Sequence, residues 1–427
     1  AIRVDHPYQS GFAEIMEEVW DRYRLPIAVT EVHLHCSREE QLKWFKEIYD
    51  QSKKLLDKNL KIIGVTTWSL LGAFGWSKLL TQPDGEYERG AFDVSSGSLR
   101  PTAMAGMIRQ LIEKGEFHSP YILQPGWWHL PNRFYKKQKR QALSATTSEQ
   151  PILIIGNTGT LGKSFAKVCG ERSLHYVLAG REEADITRPA AIESAIKKHK
   201  PWAIINAAGF VRVDEAERNI ETCFLENTVG PGLLAEACYR HHLKLVSFSS
   251  DLVFDGEKDG PYVESDITNP LNNYGISKQQ AEEKVLAFLP SALMIRTSAF
   301  FSPWDKYNFI YDVLLNLNKG HNFEAAADNF VSPTYVPHLV NTTLDLLIDN
   351  ERGIWHLTNH EKVSWYQFAR RAAILFDKDP ALIRPVYNLQ RPAAMPQQSV
   401  LHSEKGNLMP TLSEALLDYF TELTVAI

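Results

Sequence analysis

The stretch PILIIGNTGTLGKSFA (residues 151–166) decides the fold. A strand-sized apolar run ends at Gly156, Gly159 and Gly162, and a helical pattern follows. Glycines spaced G-x-x-G-x-x-G between a strand and a helix let the backbone approach a pyrophosphate closely. The helix N-terminus then turns its N–H groups and partial positive charge toward the anion. The plain alternative is a tight turn that holds nothing. A strand before and a helix after favour the nucleotide reading. Thr158 and Leu161, in the same turn, are counted with the three glycines as cofactor-binding residues.

Outward from this turn the chain alternates. Apolar strands are expected at 151–155, 175–179, 202–206, 244–249 and 292–296, each beside a helical stretch. That alternation predicts an α/β fold, a Rossmann-type doubly wound parallel sheet. From about residue 300 the pattern loosens, and a smaller substrate lobe is expected there. After the second strand, Arg181 stands where the adenosine ribose lies in such folds. An arginine there suits a 2′-phosphate, which favours NADP(H) with NAD(H) as the alternative. A solvated surface arginine is the competing reading. Asp185 either reaches the adenine edge or caps the helix that begins near Pro189.

The segment NNYGISKQQAEEKV (272–285) puts Tyr274 and Lys278 four apart on one helix face. A phenol is a poor acid at neutral pH, and a nearby ammonium is expected to lower its pKa. Ser250 ends the strand-like VSFSS and can hydrogen-bond the same carbonyl that Tyr274 would protonate. YxxxK alone is common by chance; here glycine turn, strand-end serine and YxxxK fall in the required order.

These residues carry a resemblance over about 150 to the end. The chain resembles the extended short-chain dehydrogenases/reductases, and within them the dTDP-4-dehydrorhamnose reductase family. NAAGFVRVDEAE (206–217) resembles that family's NAA-x-x-x-VD-x-AE segment, in which Ala207 and Ala208 line the cofactor. FLENTVGPGLLAEAC matches its Asn-containing helix at Asn227, and SSDLVFDG its S-T-D-Y-V-F-D-G segment. SPTY (332–335) and RPAAMPQQSVL (391–401) resemble segments of the substrate lobe. The resemblance implies hydride transfer to C4 of a dTDP-linked 4-keto-6-deoxysugar. It makes Tyr274 the acid, Lys278 the holder of the nicotinamide ribose, and Ser250 the residue orienting the ketone. Asp251, Val253 and Arg391 then fall on the substrate side. Leu252 follows Asp251 where sugar-nucleotide dehydratases carry a second acid, which argues for a reductase. Leu252, Ala299 and Met395 also depart from the reductase pattern, all on the substrate side. A non-catalytic relative of this fold, a regulatory subunit, is the other reading; Tyr274 and Lys278 weigh against it.

The first third reads differently. VTTWSLLGAFGW (65–76) resembles the signature at the last barrel strand of family 1 glycoside hydrolases, and IAVTE (27–31) the strand bearing their nucleophile. The match makes Glu31 the nucleophile position and Trp68 a sugar platform. A retaining enzyme needs a second carboxyl about 5–5.5 Å away. In that family it comes from the fourth strand, which would lie upstream of Ala1. Gly72, Ala73 and Gly75 replace the usual sugar-binding residues, so an inactive partial (β/α)8 barrel is expected. Ser37 and Glu40 are read as a capping box. His33, His35 and Cys36 have no further ligand nearby in sequence, and no metal site is expected.

The expected domains are 1–131 (partial barrel), 132–149 (linker) and 150–427 (reductase). With 427 residues, two or three domains fit. A net charge of −5 gives no general reason for nucleic acid or an anionic membrane as partner. No run is long enough to span a bilayer and no secretory pattern opens the chain, so the cytoplasm is expected. The four scattered cysteines read as free thiols. A nucleotide sugar is the expected substrate, and a homodimer stays open.

Overall fold

The computed structural model describes residues 11–75, 87–129, 150–304 and 306–425. The expected linker at 132–149 and Trp76 lie outside them. The chain divides into two compact units, Ala1–Glu149 with Ile348–Asn350, and Gln150–Leu347 with Glu351–Ile427.

The second unit is built on a six-stranded sheet. Across it the strands run Gly353–His356, Leu293–Thr297, Lys244–Ser250, Ala203–Asn206, Ile152–Ile155, Tyr176–Ala179. Every neighbouring pair is parallel. The inner strands read as unbroken apolar runs because both faces are covered: ILII, AIIN and LMIRT are buried at every position. One face packs Leu153, Ile155, Ile204, Leu245 and Met294 under Ile192, Leu234 and Val285 of the helices. On another contact, the Phe165 ring of helix Thr160–Glu171 lies 5.8 Å from that of Phe248.

The strand order reverses between the first strand, Ile152–Ile155, and Ala203–Asn206. Ligands of open parallel sheets bind outside the carboxyl ends of the strands at such a switch point. Gly156, Ala207 and Ser250 all stand at those ends.

The five expected strands are present within a residue or so at each end. The sixth, Gly353–His356, was not foreseen, and it corrects the picture of the region after 300. The chain leaves the sheet at Thr297, crosses the lobe, and returns through helix Val336–Ile348 to add a strand before entering the lobe again. The lobe core joins Phe301, Ile310, Tyr335, Phe368, Leu416 and Tyr419. Helix Trp365–Leu375 begins with a complete capping box, Ser364 with Gln367.

In the first unit, Ile27–Val32 and Ile62–Thr67 pair in parallel and form a sheet of two. Helices Phe12–Tyr23, Arg38–Asp57 and Ala103–Lys114 belong to the same unit. Leu42, Phe45, Met107 and Leu111 fill its core, and Gly115 ends the last helix in the left-handed region. No barrel closes among the described residues. The capping box expected at Ser37 is also absent: the Ser37 side chain accepts no N–H of the helix, and its hydroxyl donates to Glu39 at 2.5 Å.

Candidate active site

The phosphate turn divides its glycines by job. Gly156 has φ 122°, and a Cβ there would meet the Ala207 carbonyl at 2.8 Å. A Cβ on Gly162 would come within 1.9 Å of the Gly156 oxygen, so this glycine lets helix and strand pack. At Gly159, the residue preceding helix Thr160–Glu171, a Cβ would meet nothing within 4 Å. Thr158 is exposed beside it and Leu161 is buried beneath.

The second cluster rests on a helix start. Asn272 caps helix Asn273–Phe288, its Oδ1 accepting from the Gly275 N–H at 2.8 Å. Gly275 then lets the helix lie on the turn after Ser250, since a Cβ would strike the Leu252 oxygen at 2.1 Å. Tyr274 thereby comes near Ser250. Lys278 Nζ lies 5.7 Å from the Tyr274 ring centroid and donates to the Phe248 carbonyl at 3.2 Å.

The expected lowering of the Tyr274 pKa is overturned. Burial first, then the neighbouring Asp251 and, once ionised, Cys223, hold the phenol well above its usual value. The same burial lowers Lys278 from the ordinary lysine value of 10.5 to about 8. Asp251 is buried too, and burial pushes its carboxyl up against the pull of three serine hydroxyls. Ser250 donates to it at 2.9 Å, Ser298 at 2.6 Å and Ser399 at 2.5 Å. Ser250 also accepts the Leu252 N–H at 3.1 Å, which fixes the rotamer of this hydroxyl.

Other expected residues have structural occupations. Asn227 spends its amide inside the protein, clamping both backbone groups of Phe210 and donating to Ser277. It supports the loop that follows Ala207 and Ala208. Asp185 accepts from the Thr187 N–H and hydroxyl at 2.9 and 2.7 Å. It caps no helix, because the residue preceding helix Pro189–His199 is Arg188. Arg181 is exposed at the end of strand Tyr176–Ala179 and hydrogen-bonds Glu226, which raises its pKa further. Val253 faces inward, fully buried with Phe254, Tyr262 and Leu401, so its side chain is used in packing. Arg391 pairs with Asp214 at 2.9 Å, and Asp214 also accepts the Ala393 N–H at 3.3 Å.

Sequence reasoning missed Asn272, Gly275, Ser298, Ser399 and Asp214. Only Asn272 had a local signal, an Asn directly before a helical pattern. In the first unit, Glu31 is exposed with φ 59°, its N–H donating to Thr66 Oγ1 at 3.2 Å. Trp68 is partly buried and follows the paired strand Ile62–Thr67.

A parallel sheet, a glycine turn at its switch point and a Tyr–Lys–Ser cluster at the same strand ends define a nucleotide-binding oxidoreductase. The chain belongs, over residues 150–420, to the family described as RmlD substrate binding domain, and it is an NAD(P)-dependent oxidoreductase of that family. It is 36% identical over 225 residues to the dTDP-4-dehydrorhamnose reductase of Aggregatibacter actinomycetemcomitans, covering 51% of this chain and 76% of the relative. It is 32% identical to a probable dTDP-4,6-dihydroxy-2-methyloxan-3-one 4-ketoreductase of Streptomyces antibioticus, covering 59% and 87%. The crystal structure of dTDP-4-dehydrorhamnose reductase from Bacillus anthracis in complex with NADP matches with a TM-score of 0.60 at 27% identity, over 64% of this chain and 99% of that one.

Proposed function

We propose that this protein reduces the C4 ketone of dTDP-4-dehydro-6-deoxy-L-mannose with NADPH, giving dTDP-L-rhamnose. The observation that carries this reading is the convergence of Tyr274, Lys278 and Ser250 at the carboxyl edge of the sheet that also carries the glycine turn. The open side of Gly159 admits the pyrophosphate, and helix Thr160–Glu171 faces it with its N-terminus. Arg181 takes the 2′-phosphate by leaving Glu226, the acid that holds it here. When bound, the nicotinamide supplies a hydride. Ser250 orients the ketone oxygen by turning its one hydroxyl proton from Asp251 to it, and Tyr274 gives that oxygen the proton as C4 becomes a carbinol. A phenol held above its usual pKa keeps this proton until an alkoxide draws it away. Lys278 holds the nicotinamide ribose and a positive charge on the tyrosine side. Asp251 holds the Ser250 hydroxyl until the substrate arrives, and Arg391 closes over the sugar nucleotide.

Mixing the protein with NADPH and the dTDP-4-keto sugar should consume the absorbance at 340 nm. Tyr274→Phe should lose at least about a hundredfold in turnover, as removal of a general acid does, while retaining NADPH binding. Unchanged turnover would remove Tyr274 from the acid role. A second sugar is favoured by the departures at Leu252, Ala299 and Met395, taken with the relative that acts on a different 4-ketosugar. A panel of dTDP-4-ketosugars ranked by kcat/KM decides between them.

A further inference from the structure

We propose that His33, His35 and Glu88 form a binding site for a zinc-class divalent cation. The two histidines stand two residues apart just past strand Ile27–Val32, a spacing that puts side chains on one face of an extended chain. Sequence alone offered them no third ligand. The fold supplies one, Glu88 of the short strand Tyr87–Glu88, 55 residues beyond His33. Its two carboxylate oxygens divide between the imidazoles. Oε2 is 2.8 Å from His33 Nε2, and Oε1 is 3.2 Å from His35 Nδ1. One ligand atom from each residue can be drawn from within 4.8 Å of the other two. Ligands of a tetrahedral zinc ion stand about 3.3 Å apart for bonds of 2.0–2.1 Å. Shifts of about an ångström or less in three partly exposed side chains would therefore admit the ion.

The second ring nitrogen of His33 strengthens the case. Nδ1 lies 3.2 Å from the Trp68 carbonyl, an oxygen that can only accept. With the proton on Nδ1, the Nε2 lone pair faces a carboxylate oxygen, acceptor against acceptor at 2.8 Å. A metal ion held there would bridge the two atoms. A backbone carbonyl on the far nitrogen is also how metal-bound histidines are oriented. One carboxylate meeting two neutral imidazoles is the His2Glu donor set suited to zinc, and it leaves a fourth position for water. His35 is 51% exposed, so that position opens to solvent. Cys36 stays out of the set, turning its Sγ toward the carbonyls of Leu34 and Ser37.

Titration of the chelator-treated full chain with ZnCl2, followed by calorimetry, should show one equivalent bound at micromolar or tighter affinity. His35→Ala removes an exposed ligand without touching the core, and Glu88→Gln keeps the shape of its side chain. Each should weaken that site tenfold or more, and Co2+ in the unsubstituted protein should give the visible absorption of a low-coordinate ion. No one-equivalent site, or one that either substitution weakens less than tenfold, would overturn the proposal in favour of a histidine–carboxylate hydrogen bond.

Discussion

The amide of Asn227 closes both backbone groups of Phe210, its Oδ1 accepting the N–H at 2.9 Å and its Nδ2 donating to the carbonyl at 3.0 Å. The loop so held carries Ala207 and Ala208 past the glycine turn. Asn227→Ala leaves two buried backbone groups unpaired, each at a cost of about 1–3 kcal/mol. Thermal unfolding should shift down accordingly, and the KM for NADPH should rise with kcat less affected. A variant that unfolds earlier with an unchanged KM would show that the loop does not position the cofactor.

Gly159 and Gly162 look equivalent in sequence and are opposites in the structure. A Cβ at Gly162 collides with the Gly156 oxygen, whereas one at Gly159 enters open space from an ordinary backbone conformation. Gly162→Ala should therefore fail to accumulate as folded protein or melt far below the parent. Gly159→Ala should melt within about a degree or two of it, since exposed, unstrained substitutions change stability by roughly 0.5 kcal/mol. It should nevertheless lose tenfold or more in NADPH affinity, because the methyl occupies the pyrophosphate's approach. Unaltered affinity would place the phosphates elsewhere.

This contrast marks how far sequence reading reaches. The strands of the sheet were legible because burial on both faces turns them into continuous apolar runs, as in ILII and AIIN. Gly353–His356 was not, being an edge strand buried at only two of its four positions and reached only after the chain has crossed the lobe. Tyr274, Lys278 and Ser250 were legible as local motifs. The residues that orient them were not, because their contacts are long-range. Ser298 and Ser399 reach Asp251 from 47 and 148 residues away, and no spacing rule connects such positions. The direction of the Tyr274 pKa was misread for a related reason: burial outweighs the neighbouring ammonium, and burial is invisible in a motif.

Burial of the Lys278 ammonium carries a cost. With a folded pKa near 8 against 10.5, the folded chain has released this proton between those values while the unfolded chain retains it. Stability from this group thus rises with pH across that window, and the penalty is fully present below about pH 8. Lys278→Met should raise stability at pH 7, seen as a higher melting temperature, by at most about 3.5 kcal/mol at roughly 1.4 kcal/mol per unit. The gain should fade toward pH 10.5, and turnover should collapse at every pH. In the parent enzyme the alkaline limb of kcat/KM should begin near pH 8 and belong to Lys278, with Tyr274 still protonated there. A flat melting difference from pH 7 to 10.5 would refute the linkage.

Arg391 and Asp214 hold the late loop by an ion pair that is 38% and 36% exposed, so it adds little to stability, about 0–1 kcal/mol. Its value lies in placement, because Asp214 also takes the Ala393 N–H and so fixes the loop backbone. If Arg391 only latches the loop, Asp214→Asn and Arg391→Ala should raise the KM for the sugar nucleotide equally. If Arg391 leaves Asp214 to meet the diphosphate or sugar, its removal takes away a charge that the Asn variant keeps. We expect the second pattern, a few-fold rise in KM for Asp214→Asn and tenfold or more for Arg391→Ala. Melting temperatures of the two variants should agree within a few degrees. Equal KM values would reduce Arg391 to a latch.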